Sequence, residues 1–227
     1  MTSPARRHFE RVSAAQAAAD AGTQPMQGEA FELMQAALFE DYRRLKATQS
    51  IERKIEIKRE ILPNYAEYIA GVLEAGQGAQ DDVLMRVMLW RIDAGDLGGA
   101  IAIARYALKH GLTPPDQFER GTAAIIAEEV AEQALKQLDA EGADFLALLA
   151  YLVEVEQLTQ GADMHDQIRA KLFKALGYAL RAAGQLSEAH ASLTRALELN
   201  DRIGVKKDLE RLERELKQNA AQPTADS

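Results

Sequence analysis

Apolar residues recur at intervals of three and four along most of this chain, which is the spacing that places them on one face of an α-helix. The clearest example runs from Gln80 to Leu112, QDDVLMRVMLWRIDAGDLGGAIAIARYALKHGL, and holds the single tryptophan, Trp90. Two apolar segments there flank the tripeptide Ala94-Gly95-Asp96. Because Gly95 suits the left-handed backbone that ends a helix and Asp96 can cap the next one, the pattern predicts a helical hairpin with a small-residue seam.

The same periodicity predicts helices on both sides of this hairpin, and no segment shows convincing strand alternation. The expected helices cover about 29–47, 51–62, 65–73, 116–138, 145–158 and 205–217. Pro63 separates the second from the third, and the glycine-rich segment 74–80 is typical of a linker. The fold class predicted from the pattern is all-α, built from helical hairpins.

The C-terminal region adds a repeat signature. A series of small and apolar residues follows the spacing of a tetratricopeptide repeat: Gly177, Leu180, Gly184, Leu186, Ala189, Leu193 and Ala196. Small residues at Gly177 and Ala189 would let two antiparallel helices approach closely, and Gly184 would form their turn. We therefore expect a tetratricopeptide-like repeat in this part of the chain.

Five regions follow from these patterns. They are a disordered basic N-terminal arm (1–28), a basic helical segment (29–75), a central helical core (80–160), a tetratricopeptide-like hairpin with a final helix (161–219) and a disordered tail (220–227). The arm is assigned as disordered because it offers almost no large apolar groups besides Phe9 and Val12.

Composition narrows the class of protein. The 227 residues are 47% hydrophobic and contain no cysteine, so a sizeable core is expected and thiolate metal sites, disulfides and cysteine nucleophiles are excluded. No apolar run approaches the roughly 20 residues that span a bilayer, and the N-terminus lacks a hydrophobic signal core. We expect a soluble intracellular protein without a membrane partner.

Charge is distributed unevenly. The net charge is −8, yet the segment 43–59 alone is +5. An acidic protein with one basic zone can bind a polyanion through that zone. The candidate phosphate contacts are Arg43, Arg44, Lys46, Arg53, Lys54, Lys58 and Arg59, together with Arg6, Arg7 and Arg11 of the arm. The alternative is a solvated helix, because Glu52, Glu56 and Glu60 stand at spacings that form salt bridges within a helix.

Catalytic signatures are sparse. The chain has no phosphate-binding glycine loop and no HExxH motif, and its four histidines are scattered, so no metal ligand is assigned. Weak candidates for a two-metal nuclease are Asp82, Asp93, Glu128 and Glu129, which would require Mg²⁺. Helix capping and solvation are the ordinary explanations of such carboxylates, and they account for several of these positions. No other cofactor is expected, and enzymatic activity stays open.

Four sequence stretches carry a resemblance to a known family. They are SPARRHFERV (Ser3 to Val12), IERKIEIKREILPNY (Ile51 to Tyr65), the hairpin from Gln80 to Leu112, and QFERGTAAIIAEEVAEQAL (Gln117 to Leu135). In this order and spacing they resemble the small terminase subunits, also called terminase endonuclease subunits, of Peduovirus-type temperate phages.

This resemblance implies a role in the host cytoplasm during viral genome packaging. It implies that the chain recognises double-stranded viral DNA at the packaging site, assembles into a ring-like homo-oligomer and recruits the large terminase ATPase subunit that fills the procapsid. We therefore expect the segment 29–75 to be the DNA-binding domain and the segment 80–160 to be the oligomerisation domain. Two alternatives remain: a metal-dependent endonuclease that cuts the cohesive-end site, and a helical-repeat scaffold without DNA binding.

Overall fold

The computed structural model describes residues 3–115 and 120–221, and α-helix is the main secondary structure within them. The helices are α1 (Pro4–Ala21), α2 (Glu29–Ala47), α3 (Ile51–Ile61), α4 (Ala66–Ala75), α5 (Asp82–Ala94), α6 (Leu97–His110), α7 (Thr122–Leu138), α8 (Phe145–Thr159), α9 (Asp166–Ala182), α10 (Leu186–Leu199) and α11 (Lys206–Ala221). A 3-10 turn, Leu62–Tyr65, joins α3 to α4. The predicted all-α class is confirmed. None of the helices in the described residues has the length and hydropathy needed to cross a membrane.

The chain divides into two compact units, Met1–Thr122 and Ala123–Ser227. The boundary falls inside the segment 80–160 that the sequence indicated as one central domain. Helices α5 and α6 belong to the first unit because α5 packs against α2 and α3. Helices α8, α9, α10 and α11 lie in the second unit, together with α7 from its second residue onward.

Helix α5 forms the centre of the first unit. Nine of its residues are buried: Val83, Leu84, Met85, Val87, Met88, Leu89, Trp90, Ile92 and Ala94. Trp90 meets the ring of Tyr65 edge-on, with ring centroids 6.1 Å apart. Gly95 ends α5 with a φ of 87°, and Asp96 caps α6 by accepting a hydrogen bond from the Gly99 amide at 2.9 Å. The predicted hairpin and its turn are confirmed.

The N-terminal region is helical, so the prediction of a disordered arm over 1–28 is wrong for the described residues. Helix α1 packs along α4, with Ala14 and Ala18 fully buried. The two helices approach so closely that a Cβ on Gly71 would lie 2.2 Å from the backbone oxygen of Arg11. Arg11 also forms an ion pair with Glu74 at 2.8 Å. Sequence periodicity missed α1 because alanine and glycine, rather than large apolar side chains, form its contact.

The predicted linker 74–80 is a fixed junction within the first unit. The Gly78 amide donates a hydrogen bond to the Tyr106 hydroxyl at 2.7 Å. The Met26 amide donates to the Gln80 carbonyl oxygen at 2.9 Å, and the Gln80 side chain bonds both the amide and the carbonyl of Thr113. These partners are distant in sequence, so glycine content alone gave the wrong interpretation of this segment.

The second unit contains the predicted C-terminal hairpin. Helices α9 and α10 pack closely at Gly177, where a Cβ would lie 2.6 Å from the Leu193 side chain, and Gly184 makes the turn with a φ of 78°. Assignment of this hairpin to the tetratricopeptide class stays a prediction. Helix α11 packs on α10 and extends to Ala221, beyond its expected end, while 222–227 of the predicted tail and 116–119 of the predicted helix 116–138 lie outside the described residues.

Candidate nucleic-acid interface

The basic residues predicted to bind phosphate are carried mainly by α2 and α3. Helix α2 is 19 residues long, and Leu45 is its one buried residue. Helix α3 begins at a cap in which the Ser50 hydroxyl accepts a hydrogen bond from the Arg53 amide at 3.2 Å, and it buries Ile57 and Ile61. The two helices therefore present most of their charged side chains to solvent on the first unit.

Three of the predicted arginines form exposed ion pairs with glutamates. Arg43 pairs with Glu40 at 3.1 Å and Arg53 with Glu56 at 2.7 Å. Arg44 donates two hydrogen bonds to Glu60, at 2.8 and 3.3 Å. The side-chain hydrogen bond raises the pKa of Arg44 and lowers the pKa of Glu60. Solvent screens exposed pairs of this kind strongly, so the glutamates bind these arginines only weakly.

Lys58 and Arg59 have a different role. Lys58 forms an ion pair with Asp93, and its side chain is only 14% exposed. Arg59 Nε donates a hydrogen bond to the Ala94 carbonyl oxygen at 3.0 Å. Both cations thus hold α3 against the C-terminal end of α5, where the helix dipole and unpaired carbonyls favour positive charge. The structure therefore gives Lys58 and Arg59 contacts that stabilise the fold.

The N-terminal cations are less accessible than a free arm would make them. Arg6 pairs with Glu10 at 2.8 Å within α1, and Arg11 is held by α4. Within the part of the chain that the structure describes, Arg7, Lys46 and Lys54 have no ion-pair partner. The Arg6 and Arg11 side chains are still 66% and 46% exposed, so they remain accessible together with these three cations and the exposed pairs of α2 and α3.

An aromatic and basic cluster on α2 was missed by the sequence analysis. The Arg43 guanidinium carbon lies 6.0 Å from the ring centroid of Phe39, which is 61% exposed. The guanidinium carbon of Arg86, on α5, lies 5.4 Å from the ring centroid of Tyr42. Tyr42 fits the apolar stripe of α2 in sequence, so periodicity suggests a core residue. Only the folded chain brings Arg86 next to it.

The weak catalytic candidates lie on α5 and α7. Asp82 and Asp93 stand at opposite ends of α5, about 16 Å apart along the helix axis at 1.5 Å per residue. Glu128 and Glu129 lie on α7 in the second unit, where Glu128 binds Lys171 at 2.9 Å. No group of three metal-ligating side chains occurs in the residues described. Asp82 and Asp93 are too far apart along α5 to bind one metal ion together.

Asp81, the neighbour of one candidate, is a structural residue. It is fully buried, caps α5 by accepting a hydrogen bond from the Leu84 amide at 3.0 Å, and accepts another from the Tyr68 hydroxyl at 2.7 Å. Burial raises the pKa of Asp81 to about 6, although both hydrogen bonds favour the ionised form. Asp81 therefore caps α5 and connects its start to Tyr68 of α4.

Comparison with known proteins adds information that geometry alone does not give. A family model described as phage small terminase subunit matches residues 35–167. A protein of Escherichia phage P2 named "Terminase, endonuclease subunit" is 48% identical over 217 residues, which cover 96% of this chain and 87% of that relative. No solved structure matches the chain. The matched region contains the basic surface of α2 and α3 and the α5–α6 hairpin.

Proposed function

Because the chain belongs to the family of phage small terminase subunits, we propose that it recognises viral DNA at the packaging site, self-associates and recruits the large ATPase subunit. Family membership gives the chain a role in phage DNA packaging. The observation that carries the DNA-binding part of the proposal is the exposed positive charge on α2 and α3.

The basic surface suits a DNA backbone for electrostatic reasons. The whole chain has a net charge of −8, so general attraction to DNA is not available and binding depends on a local site. The local cations are Arg43, Lys46, Arg53 and Lys54. Arg43 and Arg53 have only exposed glutamate pairs, which are weak, and Lys46 and Lys54 have no ion pair in the described residues. Neutralising phosphates releases condensed counterions, which supplies a favourable and salt-dependent free energy.

We assign self-association to a face of the first unit formed by α1 and α2, whereas the sequence analysis assigned it to the segment 80–160. Nearly all apolar side chains of the α5–α6 hairpin are buried in the subunit core and are not available to a second copy. Phe9, Val12 and Leu33 are 70%, 51% and 58% exposed. Phe9 and Leu33 line a small groove between α1 and α2. Exposed apolar groups of this kind mark interaction surfaces, so we assign assembly of the ring-like homo-oligomer to this face.

Recruitment of the large ATPase subunit is assigned to the second unit. Helices α9, α10 and α11 form a compact group there that carries none of the proposed DNA contacts. Paired-helix repeats offer extended surfaces for protein partners. The assignment keeps DNA and ATPase on separate units, so both can bind one subunit at the same time.

The experiment compares DNA binding by the wild type and a fourfold variant. Arg43, Lys46, Arg53 and Lys54 are each replaced by alanine, and affinity for a duplex with the packaging site is measured by fluorescence anisotropy at several salt concentrations. We expect at least a tenfold loss of affinity and a salt slope that falls by about one for each lost phosphate contact. Lys58 and Arg59 are left unchanged because their loss would disturb the fold.

The control is Arg195→Ala, which removes an exposed, paired arginine from α10. Unchanged affinity and slope in the fourfold variant would contradict the proposal. Absence of any DNA binding by the wild type would favour the protein-scaffold alternative. Mass measurement with and without DNA tests the oligomer in the same samples, and a monomer under both conditions would contradict self-association.

Cleavage is a second candidate function, because the P2 relative is named an endonuclease subunit. The separation of Asp82 and Asp93 along α5 does not support it, and the described residues contain no group of three metal-ligating side chains. Incubating the purified subunit with Mg²⁺ and a duplex containing the cohesive-end site tests this directly. Specific cuts that are lost in Asp82→Ala or Glu129→Ala would establish intrinsic cleavage, and no cutting without the large subunit would exclude it.

A further inference from the structure

We propose that Arg86 is a phosphate-binding residue, held by Tyr42 in a cationic and aromatic site of α2 and α5 that takes the phosphodiester backbone of DNA. This inference rests on the DNA-binding function proposed above. It adds a residue outside the basic segment and assigns a role to the exposed ring beside it.

The packing of α5 holds the backbone of Arg86 in place. It follows Met85 on α5, whose side chain is 1% exposed, so the backbone that carries Arg86 belongs to the best-packed helix of the unit. Its guanidinium lies over the ring of Tyr42, which is 39% exposed. The ring therefore orients the guanidinium at the surface, and a stacked arginine of this kind loses little conformational entropy when it binds an anion.

Arg86 differs from neighbouring half-buried cations in its charge balance. Lys58 is paired with Asp93 and Arg91 with Asp96. In the described parts of the chain, Arg86 has no ion pair or hydrogen bond, and its contact is the aromatic ring. Asp82 stands one turn earlier on α5, but its carboxylate accepts a hydrogen bond from the Gln80 side chain. Burial lowers the pKa of Arg86, and this effect exceeds the opposing attraction of Tyr42 and Asp82.

An anion would complete this site. A cation–π contact uses the face of the guanidinium and leaves its N–H donors free for paired bonds to two oxygens. Phe39, Tyr42, Arg43 and Lys46 recur at spacings of three and four along α2, so further cations and a second ring share the face that carries Tyr42. Several cations beside one another match the repeated charge of a nucleic-acid backbone better than a single small anion.

The test uses the full chain and a duplex of about 30 base pairs in fluorescence anisotropy at three salt concentrations. Arg86→Gln removes the charge and keeps most of the side-chain volume. We expect it to lower affinity about five- to tenfold and to reduce the salt slope by about one. Arg86→Lys should keep the slope and lose only part of the affinity, because lysine restores the charge without the paired donors. Tyr42→Phe keeps the ring and should bind like the wild type.

A thermal melt separates this role from a structural one. Arg86→Gln removes a half-buried, unpaired charge, so its melting temperature should equal or exceed that of the wild type. Wild-type affinity and slope in Arg86→Gln would overturn the inference. Weaker DNA binding accompanied by a lower melting temperature would also overturn it, because the loss would then follow from the fold.

The two proposals fail in different ways. If the wild type binds no duplex, the DNA-binding function and this inference fall together. If the wild type binds DNA and the fourfold variant of α2 and α3 loses affinity while Arg86→Gln does not, the inference alone is wrong. A polyglutamate peptide that displaces the duplex from the wild type but not from Arg86→Gln would assign the site to an acidic protein partner and also overturn it.

Discussion

Helices α2 and α5 both carry many apolar residues but have very different surroundings. Helix α5 buries nine of its 13 residues, whereas α2 buries one of 19. The apolar residues of α5 run almost around the helix, so it fits only the centre of a core. Those of α2 form a narrower stripe, and rings such as Phe39 remain exposed beside cations. The core therefore depends on α5, while α2 keeps a surface that a partner can use.

The prediction with the largest expected effect compares how much α5 and α2 contribute to the stability of the fold. Trp90→Ala in α5 should lower the free energy of unfolding by about 3–5 kcal/mol, because it removes a buried ring and leaves a cavity. Phe39→Ala in α2 should change it by no more than about 0.5 kcal/mol, since that ring is mostly in water already. Urea unfolding followed by circular dichroism measures both. Equal losses in the two variants would show that α2 is packed as firmly as α5.

A second prediction concerns Asp81 at the start of α5, whose carboxyl group should make the free energy of unfolding depend on pH. Because burial raises the pKa of Asp81 to about 6, the folded protein holds the carboxyl proton more tightly than the unfolded chain, whose aspartate pKa is about 3.9. The stabilising contribution of this proton is fully present below pH about 4 and is lost as pH rises through 6. At about 1.4 kcal/mol per pKa unit, it approaches 3 kcal/mol.

Asp81→Asn isolates that contribution, because asparagine keeps the cap and cannot ionise. The difference in unfolding free energy between wild type and variant should fall as pH rises from 4 to 7, as measured by urea unfolding at each pH. Asp82→Asn, one residue later and exposed, is the matched control. A difference that does not change with pH would show that Asp81 is ionised in the folded protein throughout this range.

The smallest expected effect concerns α1, which has more buried residues than α2 and fewer than α5. Gly71→Ala would place a Cβ against the backbone oxygen of Arg11, so α1 must shift on α4, at a cost of about 2 kcal/mol. Amide hydrogen exchange should show faster exchange across Pro4–Ala21 while α5 stays protected. Gly121→Ala is the control, because a Cβ there meets no atom within 4 Å. Unchanged protection of α1 would mean that the close approach at Gly71 does not hold this helix.

The elements that the sequence predicted well are those whose signals are local. Gly95 and Asp96 encode the turn between α5 and α6 in their own backbone preferences and side chains, so the hairpin could be predicted without knowing its neighbours. Gly177 and Gly184 did the same for the α9–α10 hairpin. Helix α1 was missed because its contact with Gly71 needs small residues on both helices, and small residues give no hydrophobic periodicity.

The candidate site was predicted only in part, for a related reason. The sequence identified the excess positive charge of the segment 43–59, which is a sum over neighbouring residues. It did not separate Arg53, which points to solvent with Glu56, from Lys58, which is tied to Asp93 on another helix. It also omitted Arg86, whose partner Tyr42 lies 44 residues away. Pairing between distant residues is decided by packing and has no local signature.

The sequence by itself determined the all-α class, the central hairpin, the surplus of positive charge and the family to which the chain belongs. Each of these follows from residues read in order along the chain. The tertiary structure alone decided which cations stabilise the fold, which remain exposed, and that Asp82 and Asp93 lie at opposite ends of α5. The physical reason is that the free energy of a charged group depends on its burial and its partners, and both are properties of the folded chain.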